Sequence, residues 1–201
     1  GVIDAIALGV DLVGQGVCSA ICTAPIHKQA LIDGAGFAYP GHTEFLAHLA
    51  NRDRVVMMLA CDMLRVVPAT IHIPLREVPE RLTAAVLTDT ILITHAALIR
   101  DFGIAKPRLA VAGLNPHAGE GGLLGREEID FMSAPLERLR GAGIAVRGPL
   151  PADTPTLGTE LRAAGYLKDN RLTPQGFDKN SVPQDVAVVG LYPMLLECED
   201  A

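Results

Sequence analysis

The 201-residue sequence has few groups on which bases could stack: five phenylalanines, three tyrosines and no tryptophan. Proteins that bind single-stranded nucleic acid lay bases on aromatic side chains, so that class of function is not indicated. Basic residues are also in deficit, 17 Lys and Arg against 23 Asp and Glu, for a net charge of −6. Neutralising nucleic-acid phosphates needs a basic surface, and no run of like charge marks a polybasic membrane patch. The longest apolar stretch, near Val186–Leu196, is far short of the ~20 residues that cross a bilayer. Residues 1–16 carry acids where a signal peptide has a basic end. The expectation is a cytoplasmic protein with neither a nucleic-acid nor a membrane partner.

Cysteine is sparse as well. Cys18, Cys22, Cys61 and Cys198 are scattered within apolar runs, which reads as reduced core thiols. No second Cys or His pair is spaced to complete a zinc ribbon with Cys18 and Cys22. The P-loop and nucleophile-elbow patterns are both missing, which removes support for nucleotide-phosphate and α/β-hydrolase readings. Gly119–Gly125 approaches the dinucleotide pattern G-x-G-x-x-G, but Leu124 stands where the last glycine belongs.

Hydrophobic residues at 49% and charged ones at 20% are enough for a packed core without staples. Val2, Ile6, Val10 and Val13 recur at helical spacing, predicting a helix over 1–16. A buried strand is expected over 17–23, then a helix start at Pro25–Ala30 carrying His27 and Lys28. A turn-rich loop over 34–41 leads to a helix over 41–50, followed by strands over 54–60 and 64–73. Pro68 marks the second of these as an edge strand or two short pieces. Further on, helices are expected over 88–102 and 129–139, and strands over 108–113, 144–147 and 185–191. Strands alternating with helices imply an α/β fold, a mostly parallel sheet covered on both faces.

The chain is organised around Gly113–Gly125, a strand-to-helix loop with five glycines, His117 and Glu120. Open α/β sheets bind ligands at the carboxyl ends of their strands. His27 and His42 also fall at expected helix starts, and His72 lies near the end of its strand. Such histidines can converge on a metal or acid–base site, for imidazole nitrogen suits borderline divalent cations. On the residues alone they read equally as exposed or structural histidines.

Four segments carry a resemblance: Thr23-Ala-Pro-Ile-His-Lys28, Pro40-Gly-His-Thr-Glu-Phe45, Leu114-Asn-Pro-His-Ala-Gly-Glu-Gly-Gly122 and Gly148-Pro-Leu-Pro-Ala-Asp-Thr154. In order and spacing the sequence resembles the 4-hydroxythreonine-4-phosphate dehydrogenase (PdxA) family of vitamin B6 synthesis over about residues 1–154. The resemblance implies a three-layer α/β/α fold similar to isocitrate and isopropylmalate dehydrogenases, and a homodimer with a shared active site. It implies a small-molecule substrate, 4-phosphooxy-L-threonine, oxidised and decarboxylated with NAD or NADP and a divalent metal (Zn, Mg or Co). It places His42 and Thr43 at the substrate and makes His72 and His117 metal ligands. It assigns no cofactor-binding or catalytic residue, and Lys28 reads either as an anion contact or as an exposed helix-start lysine. A relative acting on a phosphorylated sugar acid or a dihydrodiol dicarboxylate is the alternative enzyme, and an inactive metal-binding dimeric remnant the alternative of another class. The family pattern has an amino-terminal glycine-rich stretch and a later Tyr-His-Asp-Gln motif with a third metal histidine. Neither is matched here, so the sequence reads as truncated relative to the family. Residues 1–154 are thus expected to form the α/β region carrying the metal and substrate motifs, and 155–201 a tail of unclear assignment.

Overall fold

The computed structural model describes residues 1–61, 64–153, 163, 172–173, 176–177 and 185–190. The chain divides into two compact units, Gly1–Val55 and Val56–Ala201.

The first unit is helical: α1 (Val2–Gly14), α2 (Lys28–Ala35) and α3 (His42–Leu49). Ile6, Phe37 and Phe45 are buried together, with Ile3, Ile21, Leu31 and Leu46 against them. The rings of Phe37 and Phe45 meet edge-on at 5.3 Å between centroids, a favoured aromatic geometry. Gly36 closes α2 in the left-handed conformation (φ 64°), which glycine adopts without steric cost. The strand expected over 17–23 does not form. These residues have no regular structure, and Cys18 and Cys22, like Cys61, are free and exposed rather than core thiols; Cys198 lies outside the described residues. Ile21 explains part of the difference, since its side chain packs on α1. A Cβ on Gly9 would stand 2.6 Å from Ile21 Cδ1. The unit holds only helices, so the segment has no strand to pair with.

Among the described residues, the second unit is built on a five-stranded sheet in the order β1-β2-β7-β3-β4. Its strands are β1 (Leu59–Ala60), β2 (Arg65–Pro68), β3 (Arg108–Ala112), β4 (Ala145–Leu150) and β7 (Val186–Gly190). A separate antiparallel pair joins β5 (Leu172–Thr173) to β6 (Gly176–Phe177). In the main sheet only β1 is antiparallel, so the sheet is mixed and mostly parallel, as expected. The two strands expected over 54–60 and 64–73 shrink to β1 and β2. Pro68 ends β2 beyond the reach of β1, which pairs only Val66 and Arg65, so the missing N–H of proline disrupts no ladder on that side.

Parallel strands alternate their side chains between two covered faces. Val67, Leu109, Val111, Val146, Ala187 and Val189 share one face and pack into a core with Leu87, Ile91, Leu98, Met132, Leu136 and Leu139. The helical members come from α5 (Ala84–Arg100), α6 (Ser133–Gly141) and the wide π-type turn Glu128–Met132 before it. On the opposite face Val66, Ala110, Val186 and Val188 are buried too. The short helix α4 (Val78–Arg81) precedes α5, whose start is fixed by Thr83: its hydroxyl oxygen accepts the Val86 N–H at 3.2 Å. Among the described residues no single helix is long and apolar enough to cross a membrane.

Candidate functional site

The parallel strands run in one direction, so β2, β7 and β3 end at the same edge of the sheet. His72 follows the end of β2 by four residues and His117 follows the end of β3 by five. Only β7 separates those strands, which sets their ends two strand spacings, about 10 Å, apart. An apolar hollow at this edge is lined by Ala69, Gly113, Leu114 and Gly190, among others. The second unit therefore brings two of the expected residues to one edge.

His72 is exposed and has φ of 57°, in the left-handed region that few non-glycine residues occupy. His117 is also exposed, and its Nδ1 lies 4.0 Å from Glu120 Oε1. It heads a run of left-handed residues: Ala118 (φ 49°), Gly119 (70°), Glu120 (45°), Gly121 (68°) and Gly122 (101°). Two of these five are not glycine, so the turn stores backbone strain that its surroundings must hold.

Those surroundings are specific. Asn115 spans the loop, its Oδ1 accepting the His117 N–H at 2.8 Å and its Nδ2 donating to the Leu124 carbonyl at 2.9 Å. The backbone N–H of Asn115 donates to Glu128 Oε1 at 2.7 Å. From the strand side, the Pro116 carbonyl accepts the N–H groups of Ala152 and Asp153, just past β4, at 2.7 and 3.1 Å. Glu128 itself is only 2% exposed. Neither Asn115 nor Glu128 stands out in the sequence as a site residue. A signal for Glu128 was available: it stands four residues before Met132 and eight before Leu136, on the stripe those buried residues define.

His42 and Thr43 lie in the first unit, at the start of α3. His42 is half-buried, and its Nε2 is buried without a hydrogen-bond partner. Such an atom suits a ligand group, because a buried polar nitrogen is costly to leave unpaired. Lys28 donates from Nζ to the Pro40 carbonyl, just ahead of Gly41 and His42, so it ties down the approach to α3. His27 caps α2, its Nδ1 accepting the Ala30 N–H at 3.2 Å.

Imidazoles at the β2 and β3 ends fit part of the shell of a borderline divalent cation. Among the described residues no group of three His, Cys, Asp or Glu side chains stands ready to hold a metal. The two described imidazoles therefore supply at most part of such a shell.

A mostly parallel sheet with flanking helices defines an α/β protein. Residues 1–164 match the family model described as pyridoxal phosphate biosynthetic protein PdxA, and the chain belongs to that family. A 4-hydroxythreonine-4-phosphate dehydrogenase of Roseobacter denitrificans is 62% identical over 155 residues, which are 77% of this chain and 48% of the relative. The crystal structure of a 4-hydroxythreonine-4-phosphate dehydrogenase from Burkholderia phymatum aligns with a TM-score of 0.73 at 37% identity, over 94% of this chain and 51% of that one. A terephthalate 1,2-cis-dihydrodiol dehydrogenase from Burkholderia xenovorans aligns at 0.64 with 28% identity, over 92% and 52%. The chain spans about half the length of the curated relatives it matches.

Proposed function

We propose that this chain serves a metal- and NAD-dependent dehydrogenase that oxidises and decarboxylates 4-phosphooxy-L-threonine in pyridoxal 5'-phosphate biosynthesis. The observation that carries the reading is the family match, joined to His72 and His117 leaving the same edge of the sheet. When bound, a divalent cation supplies Lewis-acid stabilisation of a developing oxyanion and NAD accepts a hydride.

In this reading His72 and His117 hold the cation, and the Asn115 bridge keeps the His117 backbone in place. A third ligand comes from residues beyond those described or from a second copy of the chain, consistent with a homodimer sharing its active site. His42 offers its buried Nε2 to a polar group of the substrate, and Thr43 offers its hydroxyl from the same helix start. There the first N–H groups of α3 have no helical acceptors and suit an oxygen-rich ligand. The substrate's secondary alcohol would become a ketone on loss of a hydride from its carbon and the proton from its hydroxyl. The resulting β-keto acid then loses carbon dioxide.

The test is NADH formation by purified protein given 4-phosphooxy-L-threonine, NAD and a divalent metal. Turnover that a chelator abolishes supports the reading. No turnover by folded, metal-loaded protein overturns it for this chain. The likeness to a dihydrodiol dehydrogenase favours one second reading, an oxidation of a dihydrodiol dicarboxylate. NADH formed from that compound but not from the phosphorylated threonine would establish it.

A further inference from the structure

We propose that Glu128 is the positioning residue of the His117 loop: its buried carboxylate fixes Asn115 and, through Asn115, the backbone of His117. The role bears on metal binding only in so far as His117 is a ligand in the function proposed above.

Three neighbouring acids, Glu127, Glu128 and Asp130, could each serve as an ordinary helix-start carboxylate. Of the three, only Glu128 is fully buried, while Glu127 is half-buried. Glu128 is 2% exposed, whereas Asp130 is exposed and pairs with Arg126 at 3.0 Å. Carboxylates are almost never buried this fully unless something holds them. What holds this one is the loop, through a hydrogen bond of 2.7 Å from the Asn115 N–H to Oε1.

The loop in turn is shaped around the carboxylate. A Cβ on Gly113 would stand 3.0 Å from Glu128 Oε1, and one on Gly119 would stand 3.0 Å from Oε2. Glycines on both sides thus open the space into which Glu128 projects. Oε2 is buried and makes no hydrogen bond, so the carboxylate is held from one side and faces Gly119 on the other. The turn Glu128–Met132 is of the wide π type, with the Glu128 carbonyl accepting the Ser133 hydroxyl at 2.7 Å. Such turns concentrate at functional sites. Here the turn sets Glu128 against the loop while Met132 and Leu136 stay in the core.

The sequence of contacts is therefore Glu128 to the Asn115 backbone, and the Asn115 side chain to the His117 N–H and the Leu124 carbonyl. Its effect is to hold a strained, left-handed turn in one shape, so that the His117 imidazole is presented in a fixed place. Groups that orient a metal ligand without touching the metal matter nearly as much as the ligand itself.

The experiment compares Glu128→Ala and Glu128→Gln in the full chain, first without metal. Amide hydrogen exchange is read at Asn115 and His117 and, as an internal reference, at Leu98 and Val188. Glu128→Ala is expected to speed exchange at the two loop amides by about tenfold relative to the reference amides. Glu128→Gln keeps an acceptor at the same position and is expected to restore most of the protection. Cobalt(II) titration then reads the consequence, with affinity falling about 10- to 100-fold in Glu128→Ala and recovering in Glu128→Gln. Loop amides that keep their protection in Glu128→Ala, or that lose it only in step with Leu98 and Val188, overturn the proposal. Because exchange is measured without metal, wild-type protein that fails to bind cobalt would overturn the metal reading separately.

Discussion

Arg108 and Asp185 lock the starts of two neighbouring parallel strands together. The guanidinium at the head of β3 donates from Nε at 2.6 Å and Nη2 at 2.9 Å to the two carboxylate oxygens of Asp185, the residue before β7. The Arg108 N–H also donates to the Asp185 carbonyl at 2.8 Å. The two residues are 77 positions apart, and the pair is partly buried. It seats β7, the last described strand in the chain, between β2 and β3. Replacing Arg108 by Ala is expected to lower unfolding stability by roughly 1–3 kcal/mol, because a bidentate, partly desolvated pair exceeds an ordinary surface bridge. Urea denaturation reads the effect, and an unchanged midpoint would show that the Arg108 side chain contributes nothing to seating β7.

Gly119 faces a double restriction. Its φ is 70°, and an added Cβ would stand 2.6 Å from the Gly125 carbonyl oxygen, a backbone atom that cannot swing away. Gly119→Ala should therefore cost about 1–3 kcal/mol or force the turn into another shape. Neighbouring Gly121 also has positive φ (68°) but nothing near the missing Cβ, so Gly121→Ala should show the smaller penalty of backbone strain alone. Equal midpoints for the two variants would refute the steric part of the argument.

The elements that the sequence displays best are those whose own residues decide them. Val186–Gly190 is an unbroken apolar run and forms a strand buried at every position. α5 carries its start signal in Thr83, although apolar periodicity alone placed the start at residue 88, one turn late. Residues 17–23 have the composition of a strand but lack a partner, and pairing is a tertiary fact that a local pattern does not contain. The site divides in the same way. His117 stands out because its loop is rich in glycine, and the left-handed turn that follows it bears out the need for them. Glu128 does not stand out, because an acid at a helix start is ordinary; only its spacing from Met132 and Leu136 points inward. His27 resembles the candidate site histidines in sequence, yet the structure engages its Nδ1 as a helix cap.

A substitution at His27 tests that assignment. Since His27 Nδ1 accepts the Ala30 N–H at 3.2 Å on an exposed helix start, His27→Ala should cost about 0.5–1 kcal/mol of stability. Divalent-metal affinity should stay at the wild-type value. A loss of metal binding comparable to that of His117→Ala would instead make His27 part of the site.

His72 and His117 should behave in the opposite way. Both imidazoles are exposed, so removing either leaves no core cavity and should shift the urea midpoint little. His72 sits at a φ of 57°, and alanine tolerates that conformation no better, so any stability change at His72→Ala should be a small loss. If both imidazoles hold one cation, each single substitution should lower cobalt affinity by about tenfold or more. The double variant should then be scarcely worse than the weaker single one, because a site already broken has little left to lose. Two independent sites would give additive losses and two binding stoichiometries, and titration of the four proteins distinguishes these outcomes. Metal affinity untouched in both single variants would remove this edge of the sheet from the active site.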